Sequence, residues 1–362
     1  MTALAALTEH RWPPRPTEAQ RDALATAYRS LKWTEDPYTE AVEHHLRRIT
    51  GALHAVAFNS CTSALHAALI AHGAASHRPL YTPAFGFAGT VTGAAHLKTP
   101  VYWLDSDPDT GNPAPVRLPS GALALIPDLH GLPHAWDRDN VITDSCQSLG
   151  TRVDGQYVGE QGTHCWSFSA TKLVSAPDGG AVTTNDPAIR DRLRQLRDYG
   201  TEPDGPRATR TVTALGHNWR PSALSMAVIA PQLEPATFAD TARRARATTA
   251  YLTTALQEAG WWTPAIPPGI QPAWHKIRTR APGMTRDHAR QALAEHGVPT
   301  HLWGTVPLPD HPVFAERTAR RTSIVGARHL ADTTFCLGTE QCPPWTWTDT
   351  EIAHVVHVID TL

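Results

Sequence analysis

Lysine is scarce in this chain. Of 32 basic residues only Lys32, Lys98, Lys172 and Lys276 are lysines, and the rest are arginine. Arginine stays charged and cannot act as a nucleophilic amine, so each amine kept in such a chain draws attention. Cysteine is sparse and unpatterned: Cys61, Cys146, Cys165, Cys336 and Cys342 form an odd set without CxxC spacing. That indicates neither a disulfide framework nor a zinc site, and no metal is expected. Neither sign of charge dominates. With 32 basic against 34 acidic residues the formal net charge is −2, which argues against a nucleic-acid partner. No apolar run approaches the ~20 residues of a membrane helix, so no membrane partner is expected. The opening MTALAALTEHRWPP has neither the basic start nor the full apolar segment of a signal peptide. The expectation is a soluble, cytoplasmic protein. A Walker A loop, a GxGxxG turn after a strand, HExxH and GxSxG are all missing, which removes the commonest nucleotide, metalloprotease and hydrolase readings.

What is present suits a large α/β chain. The 362 residues are 41% apolar and 18% charged, enough for a sizeable core and too little charged for a disordered polymer. Helical periodicity runs from Thr17 to Ser30 and from about Tyr38 to Thr50. A buried strand ending at Asn59 then leads into the helix SALHAALIAHG. Short apolar runs follow between turn signals: RPLYTPAF, PVYWLD, ALALIPD, NVITD, HCWSFSA and GAVTTND. Their spacing predicts a mostly parallel sheet with helices on its faces. A helix is expected from about Ala188 to Arg197, an exposed loop from Pro203 to Thr213, and helices again from Pro221. After Trp261 the character changes, with PAWHKIRTR as a strand and RDHARQALAEHG and TDTEIAHVVHVIDTL as helices. The expected domains are residues 1–240, with N-terminal helices and a large domain, and residues 241–362, a smaller α+β unit.

Four local features carry possible chemistry. Asn59-Ser60-Cys61-Thr62-Ser63 opens a helix with hydroxyls and free backbone N–H groups, a cup that suits a phosphate dianion; an ordinary N-cap by Ser60 or Thr62 is the alternative. In YTPAFGFAGTV, Phe85 and Phe87 alternate with small residues, as core aromatics or as a plate for a flat ring. Asp144 ends the strand NVITD, where ligands bind in open α/β sheets, unless it merely caps a helix. Lys172 lies in CWSFSATKLVSAPDGGAVTT among apolar and small residues, a setting that favours a neutral, nucleophilic amine; a solvated loop lysine is the alternative. One cofactor joins the four. Pyridoxal phosphate needs a phosphate cup, a plate, a carboxylate at its ring nitrogen and a lysine for covalent attachment. The lysine, once freed, moves a proton at the substrate carbon.

The order and wording of these motifs resemble the DegT/DnrJ/StrS group of fold-type-I pyridoxal phosphate enzymes. These are sugar and aminocyclitol aminotransferases, and the group includes the 3-amino-5-hydroxybenzoate synthases. The resemblance runs from about Trp33 to the C-terminus and is strongest from Asp144 to Gln232. It implies an α/β fold with a large, mixed, mostly parallel sheet flanked by helices and a smaller C-terminal domain. Ser60-Cys61-Thr62 stands in the place of the family's Ser-Gly-Thr phosphate cup, and Phe87, after Pro83, in that of its stacking aromatic. The family's Asp-x-x-Gln implies Asp144 on the ring nitrogen and Gln147 beside the ring oxygen. Its Ser-Phe-x-x-x-Lys implies Ser167 on phosphate and Lys172 as the attachment point. LRDYG (Leu196 to Gly200) and LGHNWR (Leu215 to Arg220) match later signatures. They imply that Asn218 reaches the cofactor phosphate of a neighbouring subunit, hence a homodimer with shared active sites, and that Arg220 holds a substrate carboxylate or serves as a structural ion-pair residue.

The chain departs from the pattern at three places. Cys61 replaces a glycine, and Asp178 stands where the family has glutamate. The segment from Gly131 to Asp144 is short by on the order of ten residues, enough to remove most of a crossover helix that parallel strands normally need. Lys172 itself argues against the dehydratase subgroup, which has histidine there.

The expected activity is transfer of an amino group from glutamate or glutamine to a keto-sugar or keto-cyclitol, in secondary-metabolite, antibiotic or saccharide biosynthesis. Two alternatives stay open: a pyridoxal phosphate enzyme of elimination, aromatisation or carbon–carbon chemistry, and a cofactor-binding regulator that keeps the fold. Gln341 to Trp347 and His301-Leu302-Trp303 either border the acceptor site or pack in the core.

Overall fold

The computed structural model describes residues 7, 11–34, 36–136, 140–202, 209–274, 276–320 and 323–362. Most of the opening segment, the first part of the expected 203–213 loop and His275 in the expected strand PAWHKIRTR lie outside them.

Helices α1 (Glu18–Ser30) and α2 (Pro37–Thr50) begin where the sequence supplies caps. Thr17 and Gln20 form a capping box, while Asp36 accepts from the Thr39 N–H ahead of Pro37. The chain then runs through β1 (His54–Phe58), α3 (Cys61–Ala71), β2 (Leu80–Pro83), α4 (Ala88–His96), β3 (Val101–Leu104), β4 (Leu123–Pro127) and β5 (Val141–Asp144). The small ladders β6 (Arg152–Val153) and β7 (Gln156–Tyr157) precede β8 (Thr163–Ser167), β9 (Gly180–Thr184) and α5 (Pro187–Arg197).

The large sheet has the order β1-β9-β8-β5-β4-β2-β3, with one further strand at its edge. The pairs β4–β5, β5–β8, β2–β4 and β2–β3 are parallel, and β9 is antiparallel to both β1 and β8. It is the mixed, mostly parallel sheet that the apolar runs predict. Both faces are covered, so side chains of alternate parity enter different cores. Val56 and Phe58 of β1, with Cys165 and Val182, join one core, whereas Ala55, Ala57, Trp166 and Ala181 join the other. Such strands read as apolar runs rather than alternations.

The abbreviated crossover also appears. Between β4 and β5 the described residues contain a single 3-10 turn, Leu129–Gly131, and no α-helix. His130 and Gly131 take positive φ in that turn, and a Cβ on Gly131 would approach the Gln147 carbonyl to 3.0 Å. The described part of the connection is otherwise irregular, and the register of β4 on β5 is intact.

Helix α6 (Ala223–Ile229) and the long α7 (Pro235–Glu258) lead into β10 (Ile270–Gln271), β11 (Ile277–Thr279), α8 (Arg286–Glu295), β12 (Thr300–His301), α9 (Pro312–Ala315), β13 (Thr318–Arg320), α10 (Val325–Thr333), β14 (Phe335–Leu337) and α11 (Asp349–Thr361). A second sheet, β11-β14-β12, lies with α7, α8 and α11 around a third core that contains Trp261, Trp274, Phe335 and Val355. We propose the division into residues 1–240 and 241–362 on this separate core. Residue 240 itself lies inside α7, and β13 returns to pair in parallel with β3 at the edge of the large sheet. The strand expected across PAWHKIRTR is confined to β11. Among the described residues, no helix is long and apolar enough to cross a membrane.

An ion pair ties the chain's start to its last helix. Arg11 donates to both carboxylate oxygens of Glu351, at 2.5 and 2.7 Å, and Glu351 closes the Thr348 capping box. Arg11 first, against the opposing effect of burial, holds the Glu351 carboxyl down at about 2. A depressed carboxyl stabilises the fold above its unfolded pKa near 4.5, and that stability is lost as pH falls through about 2. Arg11→Ala should therefore lower the melting temperature at pH 7, by about 1–3 kcal/mol of stability. The difference from the wild type should narrow as pH is lowered from 5 towards 2. Parallel melting curves across that range check this; a pH-independent difference contradicts the role given to Glu351.

Candidate active site

The carboxyl ends of β4, β5 and β8 open on one cavity of about 380 Å³, a size suited to a small-molecule ligand. Ser60, Cys61, Thr62, Phe87, Asp144, Gln147, Ser167 and Lys172, drawn from segments far apart in the chain, all line it.

The cup is built by the turn from β1 into α3. Ser60 is the N-cap and its Oγ accepts from the Ser63 N–H at 3.2 Å, so the ordinary capping role and the cup coexist. A close approach of β9 holds the turn in place. A Cβ on Gly180 would lie 2.4 Å from the Cys61 nitrogen, so only glycine fits there. The Cys61 side chain is buried, with its sulfur 3.0 Å from that of Cys146. The hydrogen bond from Cys146 lowers the Cys61 thiol, but burial and the Asp144 charge outweigh it and push the thiol up to about 11. The same hydrogen bond, together with burial, pushes Cys146 up as well. Ligating atoms of Cys61, Asp144 and Cys146 lie within 4.8 Å of one another. Burial raises both thiols, which works against a thiolate at either sulfur.

Asp144 ends β5 and is 6% exposed, with turns rather than a helix after it, so it caps no helix. The Thr90 hydroxyl donates to its Oδ2 at 2.7 Å, and the Cys146 N–H to its Oδ1 at 3.2 Å. Phe85 and Phe87 separate cleanly. Phe85 is fully buried, edge-on to Trp303, whereas Phe87 is 60% exposed and borders the cavity. A Cβ on Gly89 would lie 3.0 Å from the Phe87 ring and 3.3 Å from the Thr62 hydroxyl, which leaves glycine between plate and cup. The Gln147 Oε1 accepts from the His130 N–H at 2.8 Å, so the amide presents its NH2 as the remaining donor.

Lys172 follows β8 in a turn closed by its own N–H on the Ser169 carbonyl at 3.0 Å. It is half-buried rather than enclosed between apolar strands, because the turn leads it to the cavity edge. The Trp12 indole N–H donates to the Lys172 carbonyl at 3.0 Å and pins that turn. Asp178 also borders the cavity; burial pushes its carboxyl up, against the Gly179 N–H that donates to it.

Two expected residues lie elsewhere. Asn218 pairs with Asp198 in an isolated bridge. Arg220 forms an ion pair with Asp198, its guanidinium 4.7 Å from the centre of the Tyr199 ring, and borders a different, outer cleft. Neither reaches the cavity of its own chain. Of the aromatic C-terminal segments, Trp303 lines the cavity while Trp345 and Trp347 are buried in cores.

Sequence reading missed Thr90, Trp12, Gly180 and the pair Lys276–Glu340, which also line or support the cavity. The scarcity of lysine was a signal for Lys276; Trp12 had none, since its contact spans 160 residues.

The donor set fits pyridoxal phosphate: hydroxyls and backbone N–H groups at a helix start, a bordering aromatic, a buried carboxylate and an amine share one cavity.

Comparison with known proteins agrees. The sequence profile of the DegT/DnrJ/EryC1/StrS aminotransferase family matches residues 14–121 and 120–360. A relative, the "pleiotropic regulatory protein" of Geobacillus stearothermophilus, is 28% identical over 311 residues, 81% of each chain. A DegT DnrJ EryC1 StrS aminotransferase from Brucella abortus superposes with a TM-score of 0.83 at 21% identity, over 95% of both chains. A 3-amino-5-hydroxybenzoic acid synthase superposes with a TM-score of 0.84 at 20% identity, over 97% of both chains.

Proposed function

Because this chain belongs to the DegT/DnrJ/EryC1/StrS aminotransferase family, whose enzymes depend on pyridoxal phosphate, we propose that it moves an amino group from glutamate or glutamine to a keto-sugar or keto-cyclitol. The observation that carries the reading is the meeting of Lys172, Asp144 and the α3 cup in one cavity. When bound, pyridoxal phosphate supplies an electron sink for the pair left behind as the substrate C–H bond breaks.

The chain's residues supply the rest. The Ser60 and Thr62 hydroxyls and the α3 N-terminus receive the phosphate, with Ser167 beside them. Phe87 forms one wall for the ring. Asp144, held by Thr90 and the Cys146 N–H, would supply the negative charge that keeps the ring nitrogen protonated, and the Gln147 NH2 would be the donor for the ring oxygen. The Lys172 amine would be the attachment point for the cofactor and, once free, the group that takes and returns the proton at the substrate carbon. Asn218 and Arg220, which lie outside this cavity, are assigned to the active site of a second copy, and a homodimer completes both sites.

The test is a donor screen on protein reconstituted with the cofactor. L-glutamate or L-glutamine should bleach the visible band and release the keto acid in stoichiometric amount, and a keto-sugar or keto-cyclitol should restore the band. A band that persists with glutamate, glutamine and alanine overturns the transaminase reading in favour of elimination or carbon–carbon chemistry.

A further inference from the structure

Lys276 is the second lysine on the cavity wall, and the attachment chemistry does not use it. It directly precedes β11, and Glu340 follows β14; antiparallel pairing of Ile277 with Leu337 brings the two together. The Lys276 Nζ donates to Glu340 Oε1 at 2.9 Å. The ammonium is 7% exposed as a residue, yet among the described residues this is its single hydrogen bond, so two of its three N–H donors are left over. Burying an ammonium is costly without an anion and further acceptors. Burial pushes the Glu340 carboxyl up, but the hydrogen bond and charge of Lys276 outweigh it and hold the acid below its usual range. His301, 3.9 Å from Glu340, is lowered by burial and then by the Lys276 charge, so it adds no cation. The pair is balanced, and a second carboxylate can enter by taking the place of the first.

We propose that Lys276 is the receptor for a carboxylate of the substrate, with Glu340 as the resident carboxylate that the substrate exchanges for. Glu340 is the more exposed partner, so it can swing towards solvent while the ammonium stays fixed on the wall. This deepens the aminotransferase reading and rests on it: the cavity then takes an amino donor or an acceptor that bears a carboxylate close to the reacting carbon. A neutral keto-sugar makes no use of Lys276.

The experiment uses the cofactor-reconstituted protein and two probes. Maleate, a dicarboxylate with no amine to transfer, is titrated by calorimetry, which needs no turnover. L-glutamate is followed in a single turnover by loss of the visible band. Lys276→Gln should raise the maleate Kd by roughly ten- to a hundredfold, the range for losing a hydrogen bond to a charged group. Lys276→Arg should stay within a few-fold of the wild type, and Glu340→Gln, which removes the resident competitor, should bind maleate more tightly. A parallel rise in half-saturating glutamate assigns the carboxylate to the donor; an unchanged glutamate reaction assigns it to the acceptor. If both Lys276→Gln and Glu340→Gln leave maleate unchanged, or both weaken it as loss of a structural ion pair would, the proposal is overturned. A wild type that none of glutamate, glutamine and alanine bleaches overturns the transaminase reading alone, since the maleate isotherms still judge Lys276.

Discussion

Lys172→Ala protein should fail to retain cofactor covalently after borohydride, and its turnover should fall by roughly a thousandfold or more. Two functions vanish with the one amine. On the roles proposed for Lys172, the attachment point is lost, and so is the group that takes and returns the proton, itself worth about a hundred- to ten-thousandfold in a positioned acid–base role. Fold should survive, because Lys172 is half-buried and its turn is held by backbone atoms: its N–H on the Ser169 carbonyl and its carbonyl under the Trp12 indole. Circular dichroism and melting curves should match the wild type. Intact-protein mass after borohydride should show the cofactor's mass on the wild type and none on the variant. Wild-type turnover by Lys172→Ala would end the assignment.

Asp144→Asn should have the second largest effect, a loss of about a hundred- to a thousandfold in the amino-transfer rate, the size typical of removing a preorganised electrostatic group. The substitution is nearly isosteric. The asparagine carbonyl can still accept from Thr90 or from the Cys146 N–H, which now reach the carboxylate at 2.7 and 3.2 Å. What disappears is the negative charge at the end of β5, and with it the pull proposed to keep the cofactor ring nitrogen protonated. The expected signature is a rate loss in both half-reactions with covalent attachment retained, which separates this variant from Lys172→Ala. Activity within tenfold of the wild type would mean that Asp144 is a structural acid.

Much of the large sheet was legible because both of its faces are buried. Strands such as LALIP and GAVTT then read as uninterrupted apolar runs, and each run became a strand. The helix starts were equally legible where Thr17, Asp36, Ser60 and Thr348 provide caps. The small C-terminal strands were less so. PAWHKIRTR shrinks to β11, and β13, a three-residue edge strand, has no periodicity to reveal that it joins the far sheet. Of the site, Asp144, Gln147, Ser167 and Lys172 were legible through motif order and through the rarity of lysine. The sulfur pair Cys61–Cys146 was not, because its members are 85 residues apart and share no spacing pattern.

The sequence alone determined the order of the strands and helices of the large sheet, the candidate amine and carboxylate, and the family pattern they follow, since those are matters of local pattern and residue chemistry. Tertiary structure alone decided that the Gln147 amide presents its NH2, that Asn218 and Arg220 lie outside the cavity, and that Lys276 and Glu340 line it. The reason is physical. Which neighbour a side chain meets depends on chain crossings, such as β9 against the α3 turn or β14 against β11, whose partners lie far apart in sequence and leave no local trace.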